Sequence, residues 1–171
     1  PGGGHESFLA EVVGFRDRQV ILMPLGEMRG VGLGARVVLE QSSAMLRTGA
    51  ALLGRIVDGI GQPLDGLGPI EALEERPIYA TAVNPLDREP IREISDLGVR
   101  AINSLVTVGR GQRMSIMAGS GVGKSVLMGM MARSSNADVN VIAMIGERGR
   151  EVKEFVEDVL GPEGLKRSVV V

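Results

Sequence analysis

The chain contains no cysteine and no tryptophan, and aromatic residues make up only 2% of its 171 positions. Without thiols it forms no disulfide and runs no thiolate chemistry, which fits a reducing compartment. Few aromatic faces leave little for bases to stack on, and a net charge of −2 with a pI near 5.5 advertises no basic surface. A nucleic-acid-binding role is therefore not expected. No apolar run is long enough to span a bilayer and no secretory pattern opens the chain, so the expectation is a soluble intracellular protein. The one histidine, His5, lies in the glycine-rich lead-in Pro1-Gly-Gly-Gly-His5, where metal or catalytic work is not expected. Hydrophobic residues make up 44% of the chain, enough for a core of aliphatic and methionine side chains.

The most informative segment is Ala118-Gly-Ser-Gly-Val-Gly-Lys-Ser125. Closely spaced glycines let a backbone turn so that successive N–H groups point at one anion. A lysine in this position reaches the β- and γ-phosphates of a nucleotide, and the following hydroxyl ligates Mg²⁺. Gly119, Ser120, Gly121, Val122, Gly123, Lys124, Ser125 and Val126 are thus candidate nucleotide-binding residues, with Ser125 the candidate metal ligand. Ala118 stands where the strict pattern has glycine; a small residue still permits the turn. The context agrees: Gln112–Met117 alternates polar and apolar as a strand does, and Lys124–Arg133 is predicted as a helix with Val126, Leu127, Met130 and Met131 on one face. That helix would direct its N-terminus at the bound phosphates.

Before the loop the chain is strand-rich. Leu9–Val13, Gln19–Met23, Ala35–Leu39 and Leu53–Val57 are short apolar segments separated by turn residues, the spacing of a small barrel or sandwich. Between Gln62 and Pro90, prolines 63, 69, 77, 85 and 90 predict an extended linker carrying a solvated acidic cluster of Glu71, Glu74 and Glu75. A short helix is expected over Asp96–Leu105, with Leu97, Ala101, Ile102 and Leu105 facing inward. After the loop, Val139–Ile145 reads as a strand buried on both faces. Arg150–Leu160 reads as an amphipathic helix with Val152, Phe155, Val156 and Val159 on one side, stopped by Gly161-Pro162. Ser168–Val171 begins another buried strand, and ending there is expected of a fragment. Strand, helix, strand, helix, strand is the order of a layered α/β sheet.

Gly146-Glu-Arg-Gly-Arg-Glu151 follows the carboxyl end of the 139–145 strand. Ligands of open parallel sheets bind beyond the carboxyl ends of strands, so Glu147 and Arg148 are expected to approach the phosphates held by Lys124. Glu147 could hold the attacking water, and Arg148 could bond a phosphate oxygen or orient Glu147. The residues alone leave a second reading open: ordinary ion pairs at a strand-to-helix turn.

These strings, with Leu53-Gly-Arg-Ile-Val-Asp-Gly-Ile-Gly-Gln-Pro-Leu-Asp65, resemble the rotary-type ATPases. Pro24–Met28, Gly109–Arg113 and Val152–Val156 narrow the resemblance to the type III protein-export ATPases, the flagellum-specific branch first and injectisome ATPases next. The resemblance implies a small N-terminal β-barrel (1–67), a Pro-rich linker (68–90) and the first part of a RecA-like P-loop core (91–171). It implies that Glu147 polarises the attacking water, that Arg148 contacts phosphate, and that ATP and Mg²⁺ are used. Relatives assemble as homo-hexameric rings, peripheral to the membrane at the cytoplasmic base of the export gate, where they act on chaperones and export substrates. Family members also carry a second acidic Mg²⁺-organising strand, an arginine given to the neighbouring subunit, an adenine pocket and a C-terminal helical domain, so this piece alone is expected to be nearly inactive.

Other functions fit less well. The catalytic subunit of a proton-translocating ATP synthase usually continues the Gly-Glu-Arg motif as Thr-Arg-Glu-Gly-Asn, whereas here it runs Gly-Arg-Glu-Val-Lys. A non-catalytic ring subunit would lack the carboxylate of Glu147.

Overall fold

Asp17 bends the chain between β1 (Ala10–Arg16) and β2 (Gln19–Pro24). Its φ of 52° lies in the left-handed region that aspartate tolerates better than most residues. The strands pair antiparallel from Arg16–Gln19 to Ala10–Pro24, with an irregularity between Val12 and Gly14. The computed structural model describes residues 7–28, 30–71, 74–119 and 121–171; the lead-in ending at His5 lies outside them. The hairpin belongs to one of two compact units, Pro1–Ser42 and Ser43–Val171. Ala35–Leu39, expected as a strand of this first unit, has no strand partner among the described residues, and Val37, Val38 and Leu39 are exposed.

In the second unit, β3 (Met45–Thr48) pairs antiparallel with β4 (Glu74–Pro77). The expected linker is thus partly a strand. Pro77 ends it, and the remaining prolines fall outside. β5 (Asn140–Ile142) and β6 (Ser168–Val170) pair in parallel. Leu53–Val57, expected among the N-terminal strands, instead runs along β6. Val57 N–H donates to the Val170 carbonyl at 2.9 Å, Val170 N–H to Arg55 at 3.1 Å, and Gly54 N–H to Ser168 at 2.8 Å. Three parallel segments therefore lie in the order β5, β6, 55–57.

Among the described residues four α-helices accompany them: α1 (Arg100–Leu105), α2 (Lys124–Ser134), α3 (Gly149–Glu154) and α4 (Gly161–Leu165). Helix α1 is shorter than expected because the Asp96 carboxylate takes the Gly98 N–H at 2.7 Å and the Asn103 side-chain amide at 2.6 Å, folding 96–99 as a turn. Ile102 and Leu97 are half-buried, but Ala101 and Leu105 face out. Between α3 and α4, Phe155–Leu160 forms a π-helical stretch. Helical structure resumes at Gly161 rather than stopping, with Gly161 at φ 66° absorbing the break.

The core gathers Ala132, Ile142, Phe155, Leu160 and Val170, with Ile56, Met128, Met144, Val156, Val159 and Leu165 packed around it. Phe155 and Leu160 are buried, and the expected inner face of 150–160 is the observed one. The expected face of α2 is corrected in part: Leu127 and Met131 are half-buried as expected. Val126 and Met130 are exposed, while Gly129 and Ala132 are buried. Gly129 sits against Val159, whose side chain a Cβ at 129 would strike, so the small residues of α2 face the close contact.

Two strand expectations also change. Residues 139–145 are covered on one face only: Ile142 is buried, but Val141 is 73% exposed. Gln112–Met117 enters the loop as mostly exposed chain outside any ladder among the described residues. Polar anchors tie the rest together. The Ser168 hydroxyl donates to the Gly164 carbonyl at 2.6 Å, the Asn140 amide to the Ala132 carbonyl at 2.8 Å, and Arg167 to the Ser135 carbonyl at 2.7 Å. No helix among the described residues is long and apolar enough to cross a membrane.

Candidate nucleotide site

The glycine-rich loop leads directly into α2. Gly121 and Gly123 have φ of 77° and 94°, values that strain any residue with a Cβ. Gly119 has no such φ, and no atom lies within 4 Å of where its Cβ would be. Ser120 lies outside the described residues. Gly123 opens α2, its carbonyl accepting the Leu127 N–H at 2.9 Å, and no side chain caps the helix. The first-turn amides, from Lys124, Ser125 and Val126, are therefore open to an external acceptor. Val122 and Val126 are exposed beside them.

Lys124 and Ser125 line a cavity of about 390 Å³ together with Glu147. The two segments singled out in the sequence, 23 positions apart from Lys124 to Glu147, thus reach one space. β5 explains this: Ile142 anchors it in the core, and the chain then passes Ala143–Ile145 along the cavity wall to Gly146, whose φ of 77° turns Glu147 into place. Met114, Ile116, Met128, Met131, Met144 and Phe155 complete an apolar floor. Periodicity marked Phe155 only as core; it also walls the cavity. The methionines carried no signal beyond their apolar character.

Arg148 is not among the lining residues. Its Nη1 donates to Glu151 Oε1 at 3.0 Å, and its carbonyl accepts the Glu151 N–H at 2.8 Å and the Val152 N–H at 3.1 Å. The guanidinium of Arg148, and after it the neighbouring Glu147 side chain, hold the Glu151 carboxyl below the ordinary carboxylate range. Lys124 makes no ion pair or hydrogen bond among the described residues, which leaves its ammonium available to an anion.

The donor set also bears on a metal. No group of three or more acidic or histidine side chains capable of holding an ion occurs among the described residues. A hydroxyl at Ser125 beside an ammonium, with one carboxylate across the cavity, instead fits Mg²⁺, which keeps its waters and takes few protein oxygens together with phosphate.

A second cluster was missed at sequence level. Asp65 takes Arg55 Nε at 2.6 Å and Nη2 at 2.9 Å, the Ile56 N–H at 3.1 Å and the Leu67 N–H at 3.0 Å. Led by the Arg55 hydrogen bonds, these hold its carboxyl far below the usual range. All of these partners lie within residues 55–67, so the cluster is a clasp.

Comparison with known proteins gives the following likenesses. Residues 98–171 match the ATP synthase alpha/beta family, nucleotide-binding domain. The chain is 56% identical, over 95% of its length, to a flagellum-specific ATP synthase of Salmonella typhimurium, and 54% identical over 95% to one of Pseudomonas aeruginosa. It spans 37% and 36% of those proteins. Among solved structures it resembles the assembled ATPase EscN, in complex with its central stalk EscO, from the type III secretion system of enteropathogenic E. coli. The TM-score there is 0.87 and the identity 43%, covering 96% of this chain and 40% of that one.

Proposed function

We propose that the chain, whose residues 98–171 match the nucleotide-binding domain of the ATP synthase alpha/beta family, is part of an ATPase that energises type III protein export in flagellum assembly. The supporting observation is that Lys124, Ser125 and Glu147 line one cavity. Identity of 54–56% with flagellum-specific relatives against 43% with EscN favours the flagellar branch. In this reading residues 91–171 are the first part of a RecA-like core and the N-terminal strands are part of a small β-barrel. The full-length protein works as a homo-hexameric ring in the cytoplasm, peripheral to the membrane, with the export apparatus, chaperones and export substrates as partners.

The mechanism assigns each group a task. The open amides of the first turn of α2 and the glycine-rich loop hold the phosphates of ATP, and Lys124 neutralises β- and γ-oxygens. Ser125 would hold Mg²⁺, which adds positive charge where the transferring phosphoryl group needs it. Glu147, an acceptor with no proton to give when ionised, aligns the attacking water. Arg148 is the neighbouring cation for the γ-phosphate. The 171 residues alone are expected to turn over at least about 10³-fold more slowly than the full-length protein, since an arginine supplied by a neighbouring subunit contributes about 10³–10⁵.

Steady-state hydrolysis of Mg-ATP by the full-length protein tests the assignment. Glu147→Gln should retain Mg-ATP binding and lose about 10²-fold or more in kcat, whereas Lys124→Ala should weaken binding as well. Undiminished kcat in Glu147→Gln would remove Glu147 from its role.

A further inference from the structure

Arg148 presents a mismatch. Its chain neighbour Glu147 lines the cavity, yet its own side chain does not. The guanidinium is instead tied to Glu151 at 3.0 Å, at 76% and 35% side-chain exposure. The backbone fixes this arrangement: the Arg148 carbonyl holds the amides of Glu151 and Val152, so the two side chains rise from adjacent positions of one helical turn. The Glu147 carboxyl lies beside Glu151 in the same cluster. The exposure of the Arg148 side chain leaves it room to move through solvent once the Glu151 contact is given up.

Building on the nucleotide-site reading, we propose that Glu151 is a positioning residue: it parks the Arg148 guanidinium outside the empty cavity and surrenders it to the terminal phosphate of a nucleoside triphosphate. An exposed carboxylate–guanidinium pair is weakly held, and a terminal phosphate beside Lys124 offers a fork-binding acceptor of higher charge. The exchange has a second consequence. With Arg148 gone, Glu147 and Glu151 stand as neighbouring like charges, and their repulsion keeps the Glu147 carboxylate on the cavity side, where the attacking water belongs. A nucleoside diphosphate lacks the group that takes Arg148 and leaves the pair closed. Glu151 thereby makes the site sensitive to the third phosphate.

A double-mutant cycle on the full-length protein reads this directly. Dissociation constants for Mg-ATP and Mg-ADP are measured by titration calorimetry for wild type, Glu151→Gln, Arg148→Gln and the double variant. Releasing Arg148 by Glu151→Gln should improve Mg-ATP affinity relative to Mg-ADP by about 2- to 5-fold, the strength of an exposed ion pair. In the Arg148→Gln background the same substitution should leave that ratio within about 1.5-fold, because the effect passes through Arg148. An equal change in both backgrounds means a plain loss of negative charge and overturns the proposal, as does no change in either. If the wild type binds neither nucleotide, the nucleotide-site reading itself fails and this proposal falls with it.

Discussion

Asp65 accepts four hydrogen bonds at 7% side-chain exposure, two of them from Arg55. The sign of its pH effect follows from the direction of its shift. The folded state holds its carboxyl far below the unfolded value of about 3.9, so its contribution is complete above that value and is lost as pH falls toward the folded pKa. Asp65→Asn keeps the shape but removes the charge, so the variant should be less stable at neutral pH and take up one fewer proton on acid unfolding. Urea denaturation between about pH 7 and pH 2.5 checks this: the gap between wild type and variant should close toward the acid end. A gap constant across that range would mean the carboxylate is not what the clasp uses. The sequence displayed the motif containing Asp65 but not this pairing. A partner ten positions earlier is set by the turns at Gly61, Gly66 and Gly68, all at positive φ, and a linear motif does not carry those turns. Lys124, Ser125 and Glu147 were legible because each follows the end of an apolar segment, and chain direction then decides which side of the fold they occupy. Arg148 carries the same signal, but its side chain pairs with Glu151, one helical turn on, as the ion-pair reading left open by the residues alone allowed.

Elements were legible where large side chains face the core and misjudged where small ones do. Helix 150–160 presents Val152, Phe155, Val156 and Val159 inward, and counting apolar positions finds that face. Helix α2 presents Gly129 and Ala132 to its neighbour, and the same count selects Val126 and Met130 on the open side. Close helix packing wants little volume at the contact, and hydrophobic periodicity weights the opposite. Gly129→Ala therefore sets two effects against each other. Alanine gains up to about 1 kcal/mol of helix propensity, but its methyl meets the Val159 side chain, and overpacking a well-filled contact costs about 1–3 kcal/mol. The clash also reaches the Val159 backbone, with its carbonyl oxygen 3.3 Å from the added carbon, so the steric effect wins. The substitution should destabilise by about 1–2 kcal/mol in urea unfolding. Val159→Ala in the same chain should recover part of the loss. Stabilisation by Gly129→Ala alone would mean that α2 and the π-helical stretch are not in tight contact. Strand pairing was the least legible level: 53–57 has the composition of any short strand, and only the parallel pairing with β6 assigns it to the second unit.

At the scale of the whole molecule, the division at Ser42 and Ser43 separates the hairpin from everything that builds the cavity. All lining residues fall between Met114 and Phe155, and all core residues between Ile56 and Val170. The clasp that holds 55–68 in shape, and the three parallel segments, lie in the same unit. The first unit exposes Val12, Val13, Phe15, Val20 and Ile21 on its hairpin, and two strands alone are marginally stable in water. Its stability and that of the cavity should accordingly respond to different changes. Removing residues 1–42 should leave Mg-ADP affinity within about 3-fold, under about 0.7 kcal/mol by affinity arithmetic, and should leave the cooperative unfolding of the remainder intact. Calorimetric titration and thermal circular dichroism of residues 43–171 against the 171-residue chain make the comparison. Loss of binding with cooperative unfolding preserved would mean the hairpin unit contributes to the site. Loss of both would mean that the second unit does not fold alone. Phosphate binding that survives would confine the hairpin unit's contribution to something other than nucleotide capture, which is where the proposed barrel, acting between subunits of a ring, would have its effect.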